Sequence, residues 1–263
     1  MIAGIRLHIE VGDAVIARCP RLWISSIRHM PLDIASIHIP DPQGNLAQGF
    51  NPGDPVRIEY GYRGGISARW EGTLRGFARV SRDQLCLLAE SKARPLTTTV
   101  IRECYVDESS MAIARHLLGH SGLPIGRIAL PNEAIPRFSV ANITIWQAVK
   151  QLLHSLHTSC GHDMSRTALW FGRDGVNLGD FDEVGDVPVI ASGENLVRHL
   201  PEDGPNALSV VESVLIPGLS HSRRFRLEDV RQGIDVEHRT QHVTHEITPG
   251  KIRTKILYGR ERG

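Results

Sequence analysis

Apolar side chains recur at every second position through much of residues 1–92. Ile5, Leu7, Ile9 and Val11 alternate with Arg6, His8 and Glu10, the period of a strand with one buried face. Gly12-Asp13 predicts a tight turn, with residues 14–19 returning as the partner strand. Residues 21–28 and 34–39 read as further strands, the latter with Ala35, Ile37 and Ile39 on one face. Residues 50–77 are the most ordered stretch. Asn51-Pro52-Gly53-Asp54-Pro55 sets a turn that no helix could cross. Val56, Ile58 and Tyr60 then alternate with Arg57 and Glu59, and residues 61–65 make the connection. In the return arm Ala68, Trp70, Leu74, Ala78 and Val80 face one way. Arg69, Glu71, Thr73, Arg75 and Arg79 face the other, and Phe77 falls out of step. Residues 84–90 add a short strand. Strands this short and this closely spaced predict a barrel or sandwich rather than βαβ units.

The period changes after residues 92–95. A helix capped by Asp107 or Ser109 is expected to run to Gly119, burying Ile113, Ala114, Leu117 and Leu118, with Gly122 as its stop. Residues 124–136 read as a proline-punctuated loop. Thr144-x-x-Gln147 is a capping box, and Trp146, Val149, Leu153 and Leu156 form the stripe of a second helix. Residues 168–172 and 176–178 suggest a hairpin around Arg173-Asp174-Gly175. Period two then returns at residues 207–216, 224–227, 233–245 and 251–258. In the last of these Ile252, Thr254, Ile256 and Tyr258 point inward and Lys251, Arg253 and Lys255 outward. The fold class is therefore α+β, mostly β. Two β-barrel-like domains, residues 1–92 and 181–263, flank a small α/β domain with two helices at residues 93–180. Pro52-Gly53 and Pro217-Gly218 give the two outer segments a faint common motif.

Composition narrows the function. Thirty basic and 29 acidic side chains leave a formal charge of +1, against the strongly basic balance of a duplex-DNA binder. No specific nucleic acid is expected as a partner. Cys19, Cys86, Cys104 and Cys160 form no CxxC pair, so four reduced thiols are expected. No basic and apolar leader opens the chain, and no apolar run approaches the roughly 18 residues of a membrane span, so no membrane insertion is expected.

Two histidine clusters offer candidate chemistry. His154, His157, Cys160 and His162 have zinc-like donor types, or a thiol and imidazole for a metal- or thiol-dependent hydrolase acting on cell wall. The plainer reading is a helix C-terminus, where imidazoles are favoured by the dipole. His238, His242 and His245 lie on one strand, where His238 and His242 would share a face and His245 would not. Arg223-Arg224-Phe225-Arg226 interleaves cations with an aromatic ring, suiting phosphate contact or pairing with Glu228 and Asp229. No P-loop, GxSxG elbow or HExxH is present. No catalytic residue, metal ligand or cofactor is assigned.

The order of these features resembles a family. FNPGDPVRIEYGYRGGISARWEGTLRGF is similar to the early segment of phage baseplate hub proteins: the late control protein D family, the Mu-type hubs, and the N-terminal part of the type VI secretion spike protein VgrG. The matching positions are Phe50, Pro52, Gly53, Asp54, Val56, Ile58, Gly61, Trp70 and Gly72. ESKARPLTTTV, SSMAIARHLLGHSGL and NITIWQAVKQLL resemble the link and the two helices of the middle domain. The tail from VLIPGL onward, with Gly233, Val236 and His238, resembles the closing barrel. The resemblance implies a non-enzymatic homotrimer whose six barrels join a six-fold tail tube to a three-fold spike. Its implied partners are the spike, the tube protein and other baseplate proteins. Its implied location is the virion tail baseplate, reached from the host cytoplasm during assembly. Under it, Arg57, Glu59, Arg69, Glu71, Arg75, Arg224 and Arg226 become candidate assembly contacts.

Overall fold

The computed structural model describes residues 4–164, 167–172, 174–180, 186–202, 204 and 207–259. Arg173 of the expected hairpin and residues 181–185 at the start of the expected third domain lie outside them. The chain divides into two compact units, Met1–Lys92 with Val184–Gly263, and Ala93–Glu183.

The first unit begins with β1 (Ile5–Val11), β2 (Ala14–Val15), β3 (Arg21–Ile27), β4 (Ile34–Pro40), β5 (Pro55–Tyr62), β6 (Ser67–Ser81) and β7 (Gln84–Ser91). These pair in the order β3-β4-β7-β6-β5-β1-β2 and curl into a half-barrel. The expected return strand after Gly12 shrinks to Ala14–Val15 on one edge of β1, while the other edge pairs along its whole length with β5. Inward side chains of these strands, from Ile9 to Ala89, make a core that is mostly aliphatic, with Phe50, Tyr60 and Trp70 as its aromatic members. The FNPGD element enters β5. Gly53 sits at φ +99°, a conformation that suits glycine, and its N–H donates to the Leu74 carbonyl at 2.7 Å. At Gly72 a Cβ would lie 2.2 Å from the Glu90 carbonyl oxygen, so glycine lets β6 approach β7.

A bulge at Arg75 shifts the β6–β7 register between Leu74 and Gly76. The extra residue reverses the alternation beyond it. Phe77 now lies opposite buried Leu87, and Arg79 opposite buried Leu85. Phe77 is thus in step with the inner face, while Ala78 is not. Arg79, expected to face outward, instead reaches the buried carboxylate of Asp41 at 2.7 Å.

The second unit contains α1 (Arg94–Thr98), β8 (Val100–Ser109), α2 (Ser110–Gly119), β9 (Ile125–Ala129), β10 (Ala134–Thr144), α3 (Ile145–Cys160), β11 (Thr167–Gly172) and β12 (Gly175–Asp180). Ser109 caps α2, its hydroxyl accepting from Ala112 N–H. Thr144 and Gln147 form the reciprocal capping box of α3. The buried stripe of α3 is Ile145, Ala148, Val149, Leu152, Leu153 and Leu156. Trp146 sits beside that stripe, half-buried beneath the Lys150 ammonium. Residues 124–136 are not a continuous loop, since β9 pairs in parallel with β12 and β10 starts at Ala134. β8 and β10 form a separate two-stranded ladder.

The first unit resumes with β13 (Val189–Ala191), β14 (Leu196–Leu200), β15 (Ser209–Val214), β16 (Arg224–Asp229), β17 (Ile234–Ile247) and β18 (Ile252–Tyr258). Their order is β13-β16-β17-β18-β15-β14. The two ends of this row are joined by one turn. Within it Asn195 donates to the Val189 carbonyl and accepts from Ala191 N–H, while its own carbonyl accepts from Val214 N–H. Ile190, Val211, Leu219, Phe225, Leu227, Val243, Ile256 and Tyr258 fill the interior. The long strand β17 joins the halves. Residues Ile234–Arg239 pair with β16; beyond a register shift between Thr240 and His242 the strand pairs with β18 and also with β3.

Candidate assembly surface

Register brings opposite charges together on the outer face of β1, β5 and β6. Glu10 lies opposite Arg57, and Arg57 opposite Glu71. Arg57 donates to Glu10 at 2.9 Å and approaches Glu71 at 3.7 Å. Arg69 and Lys92 both reach Glu71 at 2.5 Å, and Arg6 approaches Glu59 at 3.7 Å. The Glu71 carboxyl is held below its usual range, chiefly by the Lys92 hydrogen bond. Glu10 is lowered chiefly by its hydrogen bond from His8. Arg57, Glu59, Arg69 and Glu71 thus fall on one ionic face. Each exposed pair contributes at most about 1 kcal/mol. The face therefore defines a charge pattern more than it stabilises the sheet.

Arg75 is not part of that network. It sits on the bulge and binds Glu90 at 2.9 Å. Arg224 and Arg226 lie on the outer side of β16, while Phe225 between them is fully buried. Arg226 forms a two-pronged pair with Asp235 at 2.7 and 2.8 Å and also meets Glu228 at 3.1 Å. Arg224 approaches Glu237 at 3.4 Å. The basic run is therefore matched by carboxylates, with its aromatic turned inward. Asp229 pairs instead with His199. A further outer groove of about 260 Å³ has Arg21, Trp23, Glu212, Thr244, Glu246, Lys251, Arg253 and Lys255 around it. Its cations Arg253 and Lys255 on β18, and Lys251 just before it, follow from the alternation read in the sequence; the carboxylates come from strands that no local pattern places beside them.

Neither histidine cluster converges. His157 donates from Nδ1 to the His162 carbonyl, Cys160 Sγ donates to the Leu156 carbonyl, and His162 Nε2 bonds Thr167 Oγ1. Gly161 turns the chain at φ +70° between them. Among the described residues no three His, Cys, Asp or Glu side chains are placed to hold a metal ion. On β17 the shift near Gln241 changes which histidines share a face. His238 lies opposite buried Phe225, on the inner side with His245, while His242 points outward to Ser25 and Thr244.

The closing half of the sheet also contains a buried chain that the sequence reading missed. His199 bonds Asp229 through Nδ1 and the Tyr258 hydroxyl through Nε2, both at 2.8 Å. Burial pushes the Asp229 carboxyl up, but hydrogen bonds led by His199 and the Arg231 N–H outweigh this and hold it low. The His199 side chain is only 1% exposed, so this hydrogen-bonded chain lies in the interior. His245 likewise donates from Nε2 to the Leu219 carbonyl and meets Thr254 through Nδ1. Burial lowers His245 and His221 to about 4 each. Among the described residues no helix is long and apolar enough to cross a membrane.

No protein-family model matches the sequence, and no curated protein does. Solved structures do match over nearly the whole chain. The 43 kDa tail protein of prophage MuSo2 from Shewanella oneidensis aligns with TM-score 0.72 at 10% identity, covering 98% of this chain and 97% of that one. A tail protein from Neisseria meningitidis MC58 aligns with TM-score 0.73 at 14% identity, covering 99% and 97%. A type VI secretion component of E. coli, described as similar to T4 bacteriophage tail proteins, aligns with TM-score 0.70 at 9% identity, covering 98% and 77%. The chain thus has the fold of phage tail proteins and of a type VI secretion component.

Proposed function

We propose that this chain is a structural baseplate hub of a contractile phage tail or tail-like injection device. It acts as a homotrimer that adapts a six-fold tail tube to a three-fold spike. The observation that carries this reading is the whole-length likeness to tail proteins, which leaves almost no part of the chain over for a separate activity. The two hydrophobic cores of the larger unit support it further, since two separate interiors are what two barrel-like halves would need. In this reading residues 1–92 and 181–263 are the two barrel domains and residues 93–180 the small domain between them. Three subunits then present six barrels to the tube. The ionic face with Arg57, Glu59, Arg69 and Glu71, together with Arg224 and Arg226, supplies subunit or tube contacts, with ion pairs exchanged between neighbours. The partners are the spike, the tube protein and other baseplate proteins, met in the host cytoplasm and retained in the virion tail.

The test is the mass of the purified chain in solution, followed by electron microscopy of the particle. A mass three times that of the chain, with a ring of six similar lobes, is expected. A strictly monomeric protein that binds neither spike nor tube protein overturns the reading.

A further inference from the structure

The smaller unit contains a groove to which the hub reading gives no role. β8 covers one edge of β10. Among the described residues no backbone hydrogen bond reaches residues 137–141 from the other side. A cleft of about 640 Å³ is lined by Arg137, Phe138, Ser139 and Ile143 from this strand and by residues of α3. Arg137, Phe138 and Ser139 are consecutive, so their side chains alternate between the two faces of the ladder. No β8 residue lines the cleft. A cleft lined by both faces of one strand and by none of its partner runs along the open edge.

The helix wall is regular. Gln147, Lys150, Gln151, His154 and Ser155 line it at spacings of three, one, three and one, the polar face opposite the buried stripe of α3. Phe138 and Ile143 give the cleft an apolar floor. Arg137 and Lys150 supply positive charge, and no carboxylate lines it. At the ends of the open stretch Pro136 has no N–H to offer, and Asn142 lies at φ +54° at a register shift. Such features blunt a strand edge against indiscriminate pairing. Here they bracket residues 137–141 and leave the stretch between them open.

We propose that the groove between β10 and α3 captures an extended acidic segment of a partner protein by strand addition. The segment pairs with the open N–H and C=O groups of residues 137–141. Its carboxylates meet Arg137 and Lys150, and its alternate apolar side chains rest on Phe138 and Ile143. Charge complementarity selects an acidic peptide over a basic one. The strand edge selects a peptide over a nucleic acid, which has no use for paired backbone donors and acceptors. The inference rests on the smaller unit alone and does not depend on the hub reading.

The experiment titrates a fluorescein-labelled, end-blocked alternating Glu-Val decapeptide with the full chain and follows anisotropy at about 50 mM salt, where surface charges are weakly screened. Saturable binding is expected, with slowed hydrogen exchange at residues 137–141 in the complex. Arg137→Glu with Lys150→Glu should weaken it by roughly tenfold or more and transfer preference to the Lys-Val decapeptide. Lys150→Gln, at an exposed helix position, gives a smaller loss in the same direction and serves if the double variant fails to fold. Four results overturn the proposal: no saturable binding, binding insensitive to these charges, equal binding of a peptide N-methylated at alternate residues, or equal competition by an oligothymidylate.

Discussion

The two halves of the large sheet share a strand pattern but not a chemistry. In the half formed by β1 to β7 the inner face is mostly aliphatic, with Tyr60 and Trp70 among the aliphatic side chains, and most of the ion pairs lie outside it, as in the Glu10–Arg57–Glu71 row. In the half formed by β13 to β18, Phe225 and Tyr258 share the interior with His199, Asp229 and His245, all hydrogen-bonded. An aliphatic core depends on area and fit, and tolerates neighbours of similar size. A hydrogen-bonded core depends on each partner being present, because a buried polar group left alone costs about 1–3 kcal/mol. The second half is thus the more specified and the more sensitive to pH.

The strongest challenge to this contrast is a matched pair of truncations. Phe225→Ala should cost about 3–5 kcal/mol and Ile58→Ala about 2–5 kcal/mol, read as midpoints of urea unfolding. Each should leave one transition, because β17 binds both halves; two separate transitions would show that the halves unfold independently.

A smaller effect is expected from Asp229→Ala, about 2–3 kcal/mol, by the same measurement. His199→Ala added to it should cost much less than it does alone, since the two share one network. Additive losses would break the idea of a chain running through Asp229, His199 and Tyr258.

The pH response comes next. His221 and His245 are lowered to about 4, from an unfolded value near 6.5. The unfolded chain therefore binds protons first, and stability falls as pH drops from about 6.5 toward 4. Each histidine contributes no more than about 3 kcal/mol to that loss. Asp33, pushed up to about 6 by burial, has the opposite sign: its contribution is present below its unfolded value and lost as pH rises through about 6. Thermal melts across this window should show a net acid loss, reduced in His245→Gln. An unchanged slope in that variant would remove His245 from the account.

Least of all is expected from Arg57→Ala, under about 1 kcal/mol and screened by salt. A larger loss in the isolated chain would mean that the outer face stabilises the fold itself.

Much of the first half was legible because strands with one buried face write their own period. Val56, Ile58 and Tyr60 alternate as read and are buried, and the outward set Arg57, Glu59, Arg69 and Glu71 follows from the same alternation. Its partners Glu10 and Lys92 were not legible, because cross-strand pairing depends on register between distant segments. Bulges hid for a related reason. One extra residue at Arg75 or near Gln241 leaves composition untouched yet reverses the alternation in the stretch that follows. β9 and the first residues of β10 read as loop because prolines punctuate residues 124–136, although Pro136 lies near the start of an edge strand, where proline is tolerated. The capping box of α3 was legible because it needs only two residues three apart.

The strand β17 makes the larger unit a mechanical whole. A load applied along it is carried by both cores, because its first part is bonded to β16 and its last part to β3 and β18 together. Pulling in that direction shears many hydrogen bonds at once. The edge strand β14 pairs with β15 alone in the sheet, so apart from the His199 bonds to Asp229 and Tyr258 its ladder is broken one bond at a time. Forced unfolding should therefore be direction-dependent, slow along β17 and faster from β14.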